Sequence, residues 1–136
     1  MKFTFTYTGI RVRNLDTSLE FYTKVLGMEL LERIQAPETK GEFAELVSED
    51  SENVLEINWY SEDSPVAGEY REGEELDHLA FEVNDLDAAL AYLDQRGYPR
   101  VMGPLESKGA RWVYVKDPDD IWIELFQTKR QQSGTP

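Results

Sequence analysis

One histidine, two glutamates embedded in apolar runs and a tyrosine near the amino terminus are the residues of this 136-residue chain that could do chemistry together. His78 is the only histidine; Glu56 lies in Val54-Leu55-Glu56-Ile57, and Glu124 in Ile121-Trp122-Ile123-Glu124-Leu125-Phe126. Taken singly, each has a plain structural explanation. A lone imidazole can be a satisfied buried group, a phenol such as Tyr7 a packing residue, and a strand carboxylate the wet side of a half-buried strand. Glu124 fits that explanation poorly, because strand alternation puts Trp122 and Phe126 on its own side. A carboxylate between aromatics suggests a cavity, where loss of water disfavours the charged form unless a cation opposes the effect. Together, Tyr7, Glu56, His78 and Glu124 form a nitrogen and oxygen donor set suited to one divalent ion such as Zn, Ni, Mn, Co or Fe. The chain has no cysteine, so thiolate-selected sites are excluded.

An internal repeat is what would bring these residues together. Residues 14–22 line up with 85–93 at an offset of 71, each preceded by a strand-like run (9–12 and 80–83) and followed by a glycine, Gly27 or Gly97. Near the end of each half a second strand matches, 54–57 with 122–125 at an offset of 68. Superposing the halves pairs Tyr7 with His78 and Glu56 with Glu124. The helix of the first half has Asn14 or Asp16 as its cap and Leu15, Leu19, Tyr22 and Leu26 at helical spacing. The second has Asp85 and Asp87 at its positive end and Leu86, Leu90 and Leu93 as its apolar face. Gly27 and Gly97 suit left-handed C-caps. Strands are predicted at 4–13, 28–35, 42–49, 53–60, 77–84, 98–102, 110–116 and 121–127, the last two forming a hairpin around Pro118 and its aspartates. Asp117, Asp119 and Asp120 lack the twelve-residue calcium pattern and read as a turn. The fold class is therefore α+β, one domain over 1–136 built of two βαβββ modules at about 4–60 and 76–128. The modules pack together or with another copy, and the linker at 60–75 is acidic and solvated.

Fourteen basic against 27 acidic residues give a formal charge of −13. Such a surface repels nucleic-acid backbones and anionic lipid, so neither is an expected partner. No apolar stretch approaches the ~18 residues of a membrane span, and the first seven residues lack a secretory apolar region. A cytoplasmic location is expected. The polar stretch at 129–136 reads as a frayed tail.

Three segments carry a family resemblance. They are Ile10-Arg11-Val12-Arg13-Asn14-Leu15-Asp16 leading into Phe21-Tyr22-Thr23-Lys24-Val25-Leu26-Gly27-Met28, then Leu76-Asp77-His78-Leu79-Ala80-Phe81, then Lys116-Asp117-Pro118-Asp119-Asp120-Ile121-Trp122-Ile123-Glu124-Leu125. Over residues 5–127 the chain resembles the vicinal oxygen chelate superfamily and, within it, the glyoxalase I-like (lactoylglutathione lyase) branch. The resemblance implies paired βαβββ modules, usually a homodimer, and a metal in a sheet-lined cup formed within one chain or between two. The family's four ligands, histidine, glutamate, histidine and glutamate, fall on Tyr7, Glu56, His78 and Glu124, so the first position departs. With one histidine the chain also lacks the two-histidine, one-carboxylate iron set of an extradiol dioxygenase-like relative.

What the resemblance implies for activity is a metal-dependent lyase or isomerase acting on a small α-oxo carbonyl or its thiol adduct through a metal-stabilised enediolate. Glutathione or another thiol would be the cosubstrate. Glu124 would shuttle the proton, with Glu56 as ligand or second base. Substrate contacts transferred by the same resemblance are Arg11, Asn58, Trp59, Trp122 and Lys108. Beside the dioxygenase-like relative, which the single histidine weakens, two alternatives stay open. One is an epimerase relative, which needs the same enolate stabilisation. The other is a non-catalytic drug-type binder that stacks its ligand among Trp59, Trp112 and Trp122.

Overall fold

The computed structural model describes residues 1–107, 109–118 and 120–128. The chain divides into two compact units, Tyr7–Asp77 and the segment from His78 onward joined by Met1–Thr6. The first holds β1 (Thr4–Arg11, less its first residues), α1 (Leu15–Glu20), a π-helical turn (Phe21–Val25), β2 (Glu29–Ala36), β3 (Gly41–Val47) and β4 (Val54–Tyr60). Its strands lie in the order β2-β3-β4-β1, with β1 parallel to β4 and the other neighbours antiparallel. The second holds β5 (Leu76–Glu82, counted from His78), α2 (Leu86–Asp94), β6 (Met102–Ser107), β7 (Ala110–Lys116) and β8 (Trp122–Thr128). Their order is β5-β8-β7-β6, again with the first and last strands of the module parallel. The α+β class and the repeated βαβββ order are both present.

Each helix begins where its cap allows. The Asn14 carboxamide oxygen accepts from Thr17 N at 2.9 Å, and the Asp85 carboxylate accepts from Ala88 N at 3.0 Å. Each helical segment ends at a left-handed glycine, Gly27 at φ +75° and Gly97 at φ +91°. One face of each helix closes a core. Leu15 and Leu19 pack with Ala44, Leu46 and Ile57, while Leu86 and Ala89 pack with Val83, Val113 and Leu125. Each fully buried leucine or isoleucine stabilises its module by roughly 1.5–3 kcal/mol, an upper bound because the unfolded chain already hides some surface.

Two expectations need correction. Leu26 does not join the first core but is 56% exposed. After Glu20 the helix widens into a π turn, in which Leu26 N donates to Phe21 O and the Thr23 hydroxyl bonds back to Leu19 O at 2.6 Å. The wider turn shifts the helical phase, and Met28 packs against the core. The sixth strand runs over Met102–Ser107, not 98–102. Gly103 at φ +96° opens a register shift between Met102 and Leu105, so pairing with β7 continues past Pro104. Proline is tolerated there because β6 is the outermost strand of its module.

Gln127, on the helix side of β8, accepts from Leu86 N at 2.8 Å and so satisfies a first-turn donor of α2 in a buried setting. Gln127→Leu is expected to cost about 1–3 kcal/mol in urea unfolding. Asp85→Ala, which removes only a cap, is expected to cost about 1 kcal/mol.

Candidate functional site

Pairing and alternation decide which side chains share a face. In the second module Ala80 stands opposite Glu124, and Tyr114 opposite Glu124 on the other side. His78, Ala80, Trp122, Glu124 and Phe126 therefore lie on the face turned away from α2, with Trp112, Tyr114 and Lys116 of β7 beside them. Phe81, Ile123, Leu125 and Val113 occupy the helix-covered face. His78 is 2% exposed and the Glu124 side chain 12%. His78 Nε2 lies 3.9 Å from Glu124 Oε1, too far for a hydrogen bond. The Tyr114 hydroxyl donates to that same Oε1 at 3.4 Å. The Tyr114 ring meets His78 and Trp122 edge-on, with centroids 6.0 and 5.3 Å apart.

The first module repeats the arrangement with different side chains. Gly9 stands opposite Glu56, as Ala80 does opposite Glu124, and Tyr7 precedes Gly9 by two residues as His78 precedes Ala80. The superposition of the halves is thus reproduced in the strand register. Tyr7, Arg11, Glu56 and Asn58 share one face, and Glu45 of β3 faces Glu56 directly. Glu56 is 5% exposed, and Tyr7 and Glu45 are half-buried.

The residues expected to touch substrate are placed unequally. Asn58 is buried and donates through Nδ2 to Ile10 O at 3.3 Å, which ties β4 to β1. Trp59 lies on the opposite face of β4 from Glu56, by alternation. Arg11 donates through Nη2 to Gly68 O. Trp122 shares the His78 and Glu124 face, whereas Lys108 lies outside the described residues.

Two ligands of one tetrahedral ion with bonds of about 2.1 Å stand about 3.4 Å apart, so His78 Nε2 and Glu124 Oε1, at 3.9 Å, hold one ion after closing by about 0.5 Å. Among the described residues, no group of three histidine, aspartate or glutamate side chains forms a metal cluster. Sequence reading overlooked Tyr114, Glu45 and Lys116. Hairpin register was the available signal for Tyr114 and Lys116, because β7 pairs them with Glu124 and Trp122 of β8. For Glu45, alternation within Phe43-Ala44-Glu45-Leu46-Val47 was enough to set it apart from Ala44 and Leu46.

A family model of the glyoxalase/bleomycin resistance protein/dioxygenase superfamily matches residues 4–125. The chain belongs to this superfamily. A probable lactoylglutathione lyase of Vibrio cholerae serotype O1 is 35% identical over 134 residues, covering 94% of this chain and 93% of that protein. A lactoylglutathione lyase of Neisseria meningitidis serogroup A is 36% identical over 129 residues, 90% of this chain and 89% of that one. Among solved structures, methylmalonyl-CoA epimerase from Mycobacterium tuberculosis shares the fold with a TM-score of 0.79 at 24% identity, over 97% of this chain and 92% of that chain. No helix among the described residues of this superfamily member is long and apolar enough to cross a membrane.

Tyr114→Phe removes a hydroxyl donor from a mostly buried carboxylate. It is expected to lower stability by about 1 kcal/mol at neutral pH, measured by urea unfolding.

Proposed function

We propose that the protein is a metal-dependent glyoxalase I-like isomerase, classed as a lyase, acting on the adduct of a small α-oxo carbonyl with glutathione or another thiol. The observation that carries this reading is the buried pair His78 and Glu124, 3.9 Å apart on one sheet face. Relatives named lactoylglutathione lyase, at about 35% identity over most of the chain, support it. His78 and Glu124 would hold the ion through the imidazole Nε2 and the carboxylate Oε1. When bound, a divalent ion (Zn, Ni, Mn, Co or Fe) supplies Lewis-acid polarisation of adjacent substrate oxygens. Glu124 takes the proton from the carbon bearing the thiol and returns it to the neighbouring carbon, so the reaction neither gains nor loses a proton or an electron overall. The Tyr114 hydroxyl orients that carboxylate through its bond to Oε1. Trp122 excludes water beside it. The working assembly is a homodimer.

The test pairs elemental analysis of untagged protein with thioester formation from the methylglyoxal–glutathione adduct. About one divalent ion per chain is expected, with loss of the ion in His78→Ala. A fall in turnover of at least about 100-fold is expected in Glu124→Gln. Protein that neither carries nor takes up Ni, Zn, Mn or Fe contradicts the reading and favours a tryptophan-lined binding protein.

A second reading, epimerisation at a carbon beside a thioester, is favoured by Glu45 opposite Glu56 and by the fold shared with methylmalonyl-CoA epimerase. Two carboxylates on one face could divide removal and return of a proton. Racemisation of a 2-substituted acyl thioester in deuterated water, with no activity on methylglyoxal adducts, would select it.

A further inference from the structure

We propose that Lys116 recognises an anionic group on the substrate, so that the preferred substrate is an α-oxo carbonyl or thiol adduct carrying a carboxylate a few bonds from its reacting carbons. The inference deepens the isomerase reading and rests on it for the identity of the reacting carbons. Lys116 is the cross-strand partner of Trp122, one step along the ladder from the Tyr114 and Glu124 pair. Two residues of strand rise set that step at about 6.8 Å. The lysine therefore stands on the same face as the buried carboxylate, displaced by the length of a short acyl chain. Its Nζ lies 5.0 Å from the Trp122 ring centroid, where the ring quadrupole holds the ammonium at the face. The side chain is half-buried and makes no ion pair with a described residue.

Arg111, on the same strand as Lys116, is committed to Glu106 and Asp87. Arg11, which the family resemblance nominates for a carboxylate, instead holds the linker. Its guanidinium bonds to Gly68 O and lies 5.8 Å from the Tyr60 centroid and 5.5 Å from that of Tyr70. Arg13 lies 4.5 Å from the Tyr70 centroid and pairs with Glu72, while Arg33 is shared between Asp16 and Glu42. In a chain of charge −13, an anionic substrate meets general repulsion, so one local ammonium has a large share in deciding whether it binds. A lysine that merely shields Trp122 would serve neutral and anionic ligands alike, and that difference is measurable.

The full chain, with its native metal, is assayed on methylglyoxal adducts of 3-mercaptopropionate, which is anionic, and of 2-mercaptoethanol, which is neutral. The readout is the ratio of kcat/KM between the two. Lys116→Gln is expected to lower that ratio at least about tenfold, and Lys116→Arg to hold it within about threefold. Calorimetric titration with 2-oxoglutarate and with hexane-2,3-dione gives a readout independent of turnover. There, Lys116→Gln is expected to weaken binding of the oxoacid about tenfold more than that of the diketone. Absence of turnover on both adducts counts against the isomerase reading alone, and the titration then decides. Equal effects on charged and neutral ligands, or no binding of 2-oxoglutarate by the native protein, would overturn the role of Lys116.

Discussion

The parallel pairing of the first and last strand in each module, Gly9 with Glu56 and Ala80 with Glu124, determines which side chains can meet. A slip of one residue would turn Glu124 toward α2 and bring Leu125 to the other face, exchanging core for site. The helices oppose such a slip. Leu86, Ala89, Val113 and Leu125 fill one face so completely that the alternate residues are committed to the other. Burial of His78 and Glu124 is thus a consequence of where the apolar residues go. Such burial is costly for polar groups unless each finds a partner, and no buried side-chain polar atom among the described residues lacks one.

Much of this was legible in the residues. Leu15 and Leu19, or Leu86 and Leu90, announce helices because a 3.6-residue period is hard to mistake when a capping side chain precedes it. The duplication made Tyr7 and His78 equivalent before any strand was paired, and the register repeats that equivalence. What escaped the sequence was local backbone freedom. The π turn depends on a threonine hydroxyl bonding one turn back, and the bulge at Gly103 depends on a left-handed glycine within a strand. Neither leaves a periodic trace. The family resemblance nominates Trp59 and Asn58 together, whereas alternation sends them to opposite faces of β4.

The acidic linker also differs from its sequence appearance. Arg11 and Arg13 clamp Tyr70, and Glu75 accepts from both Gly73 N and the Tyr70 hydroxyl. The bonds from the Gly73 backbone, foremost, hold the Glu75 carboxyl below its ordinary range, while burial and then Glu75 itself push the Tyr70 phenol up. The segment is a folded strap around an aromatic ring. Its use of Arg11 changes the electrostatics of the first module, because that positive charge is spent on a backbone carbonyl and two rings.

In the proposed function, the buried His78 and Glu124 pair binds a divalent ion through its imidazole. The most direct measurement is pulsed electron paramagnetic resonance of the full chain loaded with copper(II) as a spectroscopic substitute. Modulation from the remote nitrogen of a single imidazole, abolished in His78→Ala, is expected. Because the chain contains only one histidine, bound copper that shows no imidazole modulation would contradict it.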